Sequence, residues 1–167
     1  MLRRIHCLNA NPSSASNLWM ATMMASAQSP VTLRPITWSP RLELGIERID
    51  AQHQCLVWLH NDLVRALSHG VSVDMATRIM GELRRYAAYH FAEEEELIER
   101  CGYPLAAAHH HQHRGFATSL RNMTTTVRDT DFAAQIVFFT GTWIEGHIAR
   151  SDKDIARYLL DGPRMCA

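Results

Sequence analysis

The stretch that decides the fold runs from Tyr86 to Glu96 and reads YAAYHFAEEEE. Within it His90 precedes Glu94 by four residues, and residues four apart lie on the same face of an α-helix. An imidazole and a carboxylate stacked in this way form half of a metal site. Four consecutive glutamates are more typical of a solvated acidic face, but they spread round a helix in steps of about 100°. Only Glu94 stacks well on His90, so the interpretation depends on ligands elsewhere in the chain.

The composition excludes some classes of function. The chain has 167 residues, enough for one domain with a sizeable core, and its 17 basic residues balance its 17 acidic residues. A protein that binds nucleic acid or an anionic membrane needs a basic excess, so neither is an expected partner. The unusual count is histidine, with 10 residues.

The four cysteines are widely spaced and form no CxxC pair. Neither a disulfide framework nor a zinc-thiolate site is expected, and a reducing compartment, the cytoplasm, is the simpler prediction. No apolar run reaches about 18 residues, which argues against a membrane span.

Residues 1–36 differ from the rest, being rich in Ser, Asn, Ala and Met, and the first acidic residue is Glu43. Three interpretations stay open: a targeting leader, an upstream mis-start with Met20, Met23 or Met24 as the true beginning, and a disordered extension, which is favoured. The predicted organisation is an extension or leader over 1–36, a helical domain over 37–160 and a tail over 161–167.

The first two helices are predicted from apolar spacing and end signals. Residues 36–49 read as an ordered loop, and Asp50 is the expected N-cap of a helix that ends near Gly70. Asp74 is the expected cap of a second helix that reaches about Arg100.

The third helix is predicted from about Pro104 to about Val127, and the fourth from about Phe132 to Leu160. Long helices with short connections imply antiparallel neighbours. The predicted fold is therefore all-α, an antiparallel up-down-up-down four-helix bundle with an N-terminal loop and a disordered leader.

Each predicted helix carries histidine or carboxylate on its apolar side. Any one of them has a simple explanation, because a lone buried histidine is usually a hydrogen-bonded core residue and a histidine-rich tract is often a surface patch. Together they would leave several buried polar groups unpaired, and a metal is the simplest compensation. Imidazole plus carboxylate without thiolate suits iron or manganese and does not exclude zinc. The candidate ligands are His53, His90, Glu94, His109, His113, His147 and Asp152.

Helix geometry adds two expectations about the side chains near these candidates. His110 and His111 rotate away from the face that His109 and His113 share, so they are not expected to be ligands. The five-residue step from His147 to Asp152 is about 140° on an α-helix, so the carboxylate must swing inward.

A count of coordination positions points to two ions with one vacancy. Two octahedral ions need twelve donor positions. Five imidazoles, two bridging carboxylates and one bridging oxo or hydroxo group fill eleven of them. One small molecule can then bind to one ion.

At these positions the chain resembles the hemerythrins, of the single-domain bacterial kind. The resemblance covers about Trp38 to Leu160 and includes every candidate ligand. Its pieces are specific only in combination: Gly45-Ile46, Asp50-x-x-His53, Tyr86-x-x-x-His90-Phe91-x-x-Glu94-Glu95, Gly102-Tyr103-Pro104, His109-x-x-x-His113-x-x-Phe116 and Trp143-x-x-x-His147-Ile148-x-x-x-Asp152.

The resemblance implies roles for these residues. His53 and His90 would bind one iron, and His109, His113 and His147 the other, with Glu94 and Asp152 bridging. Dioxygen would bind reversibly at the iron that has two histidines. Candidates for an apolar lining of that pocket are Phe91, Phe116, Trp143, Ile144 and Ile148.

Three functions stay open at this point. The favoured one is reversible dioxygen binding for storage, delivery or sensing, because a histidine-rich site favours binding over oxidative chemistry. The second is a di-iron enzyme, either a peroxidase or a reductase of nitric oxide or another small oxidant. The third is an iron-storage or signalling module, which would need a delivery or signalling partner protein whose identity is unknown.

Overall fold

Five α-helices and one π-helical turn account for the regular structure in the computed structural model, which describes residues 33–124 and 130–161. The elements are α1 (Glu47–Ser68), α2 (Val73–Arg100), α3 (Ala106–Thr124), α4 (Thr130–His147), the π turn (Ile148–Asp152) and α5 (Lys153–Asp161). The last three follow one another without a break and form the fourth long helix of the fold. No strand occurs within the described ranges, and the predicted all-α fold is confirmed.

The helices pack as a bundle in which α1 and α3 each contact both α2 and α4. Antiparallel packing follows from the cross-helix pairs, since Arg48 lies against Glu93 whereas the later His53 lies against the earlier His90. The core is aliphatic at its ends, with Leu63, Met80 and Leu120 fully buried. Each helix buries one stripe of apolar side chains, because most of its buried residues recur at three- and four-residue spacing.

The N-terminal loop is fastened to α1 by side chains of that helix. The Asp50 carboxylate accepts hydrogen bonds from the backbone N–H of Leu44 at 2.7 Å and of Gly45 at 2.9 Å. Asn61 exchanges two hydrogen bonds with the backbone of Ile36, at 2.7 and 2.8 Å. The predicted N-cap role of Asp50 is wrong: α1 begins at Glu47, so Asp50 lies in its first turn and binds the loop instead.

The ends of α1 and α2 show one confirmed signal and one correction. Gly70 follows the end of α1 with a φ of 66°, a left-handed conformation that favours glycine, as its predicted place beyond a helix end requires. The N-cap of α2 is Ser72, whose hydroxyl accepts from the Met75 N–H at 3.3 Å, and not Asp74. Asp74 lies in the first turn, where a carboxylate favours the positive end of the helix dipole.

The predicted boundaries at the two chain ends stay predictions. Residues 1–32 and 162–167, and the predicted end of the third helix at Val127, lie outside the described residues. Among the helices that the structure describes, none is both long and apolar enough to cross a lipid bilayer.

The cysteines differ from the sequence prediction at one position. Cys101, the C-cap of α2, is disulfide-bonded, whereas Cys55 has a free thiol. The sequence predicted no disulfide framework, and the disulfide at Cys101 departs from that expectation. The predicted compartment loses that support and stays a prediction.

Candidate metal centre

The middle of the bundle brings all seven predicted ligands into one buried cluster. Helices α1 and α2 contribute one group, in which His53 Nε2 lies 3.1 Å from His90 Nε2. Helices α3 and α4 contribute another, in which His113 Nε2 lies 3.0 Å from His147 Nε2. Two donors at right angles on an ion with bonds of about 2.1 Å are separated by about 3 Å, so both spacings fit neighbouring ligands of one ion.

The two carboxylates lie between these groups. Asp152 places Oδ2 3.3 Å from His53 Nε2 and Oδ1 3.1 Å from His147 Nε2. Glu94 places Oε2 3.2 Å from His109 Nε2, 3.3 Å from His113 Nε2 and 3.8 Å from His90 Nε2. Each carboxylate therefore faces imidazoles of both groups.

The π turn explains how Asp152 reaches the cluster. Its widened hydrogen bonding includes a bond from the Lys153 N–H to the Ile148 carbonyl, five residues back. A π turn takes roughly one more residue than an α turn, so a residue five positions on lies about where a residue four positions on would lie in an α-helix. Asp152 therefore stacks on His147 and has no need of the inward swing that α geometry would demand.

Several polar atoms of the cluster are buried without a hydrogen-bond partner. They are His53 Nδ1, Glu94 Oε1 and both carboxylate oxygens of Asp152. The short distances from Asp152 to imidazole nitrogens are thus contacts without hydrogen-bond geometry. Side chains that converge while leaving lone pairs unpaired fit a metal better than a hydrogen-bonded core, because an unpaired buried polar group is costly.

Donor atoms gather into two groups that could each hold an ion, with all atoms of a group within 4.8 Å of one another. One group is Glu94, His109, His113, His147 and Asp152, and the other is His53, His90 and Glu94. Glu94 belongs to both. All seven side chains are buried, which excludes an adventitious surface patch.

Comparison with known proteins agrees with this geometry. The model of the hemerythrin HHE cation-binding domain matches residues 44–159. The chain belongs to the hemerythrin family. Among curated relatives, the bacteriohemerythrin of Clostridium acetobutylicum is 31% identical over 123 residues, which cover 70% of this chain and 95% of the relative. That of Stenotrophomonas maltophilia is 29% identical over 126 residues, covering 72% and 79%. That of Pseudomonas paraeruginosa is 28% identical over 118 residues, covering 70% and 76%.

Burial favours the neutral form of two histidines in this hemerythrin cluster. Burial, reinforced by the neighbouring His53, lowers the pKa of His90 to about 3. Burial and the nearby His113 hold the pKa of His147 well below its usual value. Both rings are therefore neutral at pH 7, which is the protonation state that metal ligation requires.

The two carboxylates respond to the same surroundings in opposite directions. Burial, together with the charge of Glu94, raises the pKa of Asp152. Burial also acts to raise the pKa of Glu94, but hydrogen bonds with His109 and His113 outweigh it and hold that pKa well below its usual value. His109 shows the reverse balance, since burial lowers its pKa but the Glu94 hydrogen bond and charge raise it further. A cation at the centre would relieve the repulsion between the two carboxylates.

Two polar residues outside the predicted set contact the ligands from behind. His90 Nδ1–H donates to Gln52 Oε1 at 3.0 Å, and His113 Nδ1–H donates to Glu95 Oε1 at 2.9 Å. Each bond fixes the ring so that its Nε2 lone pair points into the cluster. Sequence reasoning gave neither residue a role, although each is the immediate neighbour of a predicted ligand and Glu95 belongs to one of the quoted motifs.

Aromatic rings stack on the histidines of α3 and α4. Phe91 lies parallel to His113, with centroids 3.9 Å apart and planes at 11°, and Trp143 lies parallel to His147 at 4.1 Å and 16°. Phe116 stacks on the far face of this group against Trp143 at 4.1 Å. The predicted aromatic lining is thus adjacent to the cluster, but its closest contacts are with the group that contains three histidines.

The remaining predictions concern aliphatic and surface residues. Ile144 and Ile148 are buried and belong to the core. His111 is exposed, and His110 lies 3.7 Å from Glu99 on the outer side of the bundle. Neither histidine belongs to a group of donor atoms that could hold a metal among the described residues. That neither is a ligand stays a prediction.

Proposed function

We propose that this hemerythrin holds two iron ions in the cluster and binds dioxygen reversibly there, for storage, delivery or sensing. The observation that carries the proposal is the Asp152 carboxylate, with one oxygen 3.3 Å from His53 Nε2 and the other 3.1 Å from His147 Nε2. A carboxylate that faces two sets of imidazoles has the position of a bridge between two ions. Membership of the hemerythrin family supports iron as the metal and dioxygen as the ligand.

The proposed ligand sets follow the two groups of donors. His53 and His90 hold one ion, and His109, His113 and His147 hold the other, with Glu94 and Asp152 shared. The spacings of 3.1 Å and 3.0 Å between paired Nε2 atoms support this division. The ion with two histidines has one ligand fewer, so the vacancy for dioxygen lies on the side of α1 and α2.

The donor set favours binding over enzymatic oxidation. Bound iron would supply the reversible electron transfer that dioxygen binding needs, and the seven side chains would hold it. Five imidazoles against two carboxylates would stabilise ferrous ions, whereas carboxylate-rich sites favour oxidation. The chain also excludes water, since His53, Glu94 and Asp152 are each at most 1% exposed.

The proposed apolar lining extends this exclusion to the α3 and α4 side of the cluster, where Phe91 and Trp143 stack on histidines. Phe91, Phe116, Ile144 and Ile148 are between 1% and 6% exposed, and Trp143 is half-buried beside His147. Apolar walls carry no proton to donate. They would therefore slow the loss of the bound gas by the irreversible oxidation of the irons.

The direct test is reversibility in the reconstituted protein. The metal-free chain is loaded anaerobically with ferrous iron, and the visible spectrum is recorded through repeated cycles of oxygen addition and removal. We expect about two irons per chain and a spectrum that returns in each cycle. The exposed His111→Gln variant is the control and should behave as the parent does. Irreversible bleaching with turnover of peroxide or nitric oxide would show that the protein is an enzyme and not a dioxygen carrier.

The lining is tested by Ile144→Ser. Ile144 is 1% exposed and lies nearly one turn before His147 on the same face, and helical side chains lean toward the N-terminus. Its loss should admit water beside the cluster and speed autoxidation while iron stays bound. The measurement is the decay of the oxygenated spectrum over time.

Ile136→Ser is the matched control for that variant. Ile136 is equally buried in the same helix but lies eleven residues, about 16 Å, before His147. Both changes should lower the free energy of unfolding by roughly 2–5 kcal/mol. Only Ile144→Ser should raise the autoxidation rate. Equal rates in the two folded variants would show that Ile144 is ordinary core.

A further inference from the structure

The two histidines supported from behind have acceptors that differ by a full charge. The acceptor for His90 is the neutral amide of Gln52, at 3.0 Å. The acceptor for His113 is the carboxylate of Glu95, at 2.9 Å. In the proposed ligand sets these histidines belong to different ions, so the second layer of contacts is asymmetric across the pair.

The surroundings of the two acceptors keep this asymmetry in place. Gln52 is 6% exposed, and a charge there would be costly to bury. The Glu95 side chain is 29% exposed, so its carboxylate reaches both the imidazole and water and avoids that cost. His53, the other histidine of the first group, has no partner for Nδ1. Among these contacts, then, no charged side chain accepts a hydrogen bond from the histidines of α1 and α2.

An imidazole that donates to a carboxylate is a more basic ligand than one that donates to an amide. The negative charge stabilises a ferric ion more than a ferrous ion, because the attraction grows with the charge of the metal. Phe91 stacks on His113 at 3.9 Å and holds the ring in the plane that this hydrogen bond requires. The effect of Glu95 is thus directed through one ring to one ion.

We propose that Glu95 is a positioning residue that gives the ion held by His113 the lower reduction potential of the pair. The inference rests on the proposed di-iron function. With iron bound, an external one-electron oxidant would take the first electron from the ion held by His113 and the second from the ion held by His53 and His90. No bond to Glu95 forms or breaks, and its hydrogen bond to His113 persists in both states.

The experiment compares Glu95→Gln with Glu96→Gln in the iron-loaded full chain. Glu96 is an exposed carboxylate on the next position of α2, paired with Arg100 at 3.5 Å, and its change removes the same charge without touching a histidine. The two one-electron midpoint potentials are measured by spectroelectrochemistry. In parallel, zinc affinity of the metal-free chain is measured with a competing chelator.

We expect Glu95→Gln to raise the lower potential and to narrow the gap between the two steps. A tenfold loss of preference for the ferric ion corresponds to about 59 mV for a one-electron couple. Zinc binding at one of the two positions should weaken by roughly 10–100-fold. Glu96→Gln should change neither quantity appreciably. Glu95→Asp, which keeps the charge, should restore part of both.

The outcomes separate this inference from the proposed function. A parent protein that does not bind two irons would overturn the proposed function. A parent with two irons, in which Glu95→Gln and Glu96→Gln shift the potentials equally, would overturn only the role of Glu95. A rise in the upper potential alone would show that Glu95 acts on the ion held by His53 and His90 and would overturn the inference. A purely structural role would lower stability without moving either potential.

Discussion

All five histidines of the cluster present Nε2 to its centre, and at His90 and His113 the reason lies behind the ring. A neutral imidazole has one N–H, and Gln52 and Glu95 take that hydrogen at Nδ1. The Nε2 lone pairs are then free for a metal. His90 and His113 therefore each depend on a residue of another helix for their tautomer and orientation.

Removal of a shared carboxylate should affect both ions, whereas removal of a terminal histidine should affect one. Glu94 belongs to both donor groups, and His53 to one. We expect Glu94→Ala to retain well under half of the iron and His53→Ala to retain about one iron per chain. Iron is measured by atomic absorption on protein whose helical content matches the parent.

The exposed Glu96→Ala serves as the control and should keep the full complement of iron. A Glu94→Ala protein with an intact pair of irons would exclude Glu94 as a bridge.

Residue-scale reasoning from the sequence selected seven side chains that the structure brings together, because their spacing is imposed by the helix. That they bind a metal stays a prediction. His90 with Glu94, and His109 with His113, are four apart, so one helix sets their direction whatever it packs against. Gln52 and Glu95 carry no such signal. Each looks like an ordinary polar helix residue, and its partner lies on another helix.

At the scale of elements, the π turn is the feature that helix periodicity could not predict. Residues 148–152 contain no glycine or proline that would mark an irregularity. The wider turn is a tertiary effect, because it lets one continuous helix place both His147 and Asp152 on the cluster. The predicted starts of α1 and α2 were also misplaced. Asp50 and Asp74 are plausible caps, but they lie in the first turns of helices that begin at Glu47 and Val73.

The π turn leads to a prediction about chain length. Deletion of the exposed Arg150 would place His147 and Asp152 four residues apart, the spacing that stacks them in a regular α-helix. We expect this variant to keep its iron and to lose the π turn. Insertion of one alanine after Arg150 should move Asp152 out of the cluster and release iron.

Iron content and the visible spectrum of the two length variants are the measurements. Loss of iron in the deletion variant, with helical content unchanged, would show that the π geometry itself, and not merely the direction of Asp152, is required.

At the scale of the whole molecule, His60 joins three parts of the fold without touching the metal centre. It is fully buried in α1, and its Nδ1 is hydrogen-bonded to the Thr140 hydroxyl of α4 at 3.1 Å. Its Nε2 lies 3.4 Å from the Arg34 carbonyl in the N-terminal loop. Gly141 leaves room for the ring, because a Cβ at that position would lie 2.9 Å from it. One imidazole thus contacts the loop and α4 from within α1, in addition to the loop bonds of Asp50 and Asn61.

This histidine should make folding sensitive to acid. Burial lowers the pKa of His60 from 6.5, although the contact with the Arg34 carbonyl opposes the shift. In the unfolded chain the ring takes a proton near its ordinary pKa, whereas the folded chain resists protonation to a lower pH. The stability contributed by the neutral ring is therefore complete above about pH 6.5 and falls as the pH drops below it, by at most about 1.4 kcal/mol per pH unit.

We expect metal-free His60→Gln to lose less stability than the metal-free parent between pH 7.5 and pH 5.5. Urea unfolding at both pH values gives the difference, and the exposed His111→Gln should follow the parent. Equal losses in the parent and in His60→Gln would show that the acid sensitivity resides in other groups.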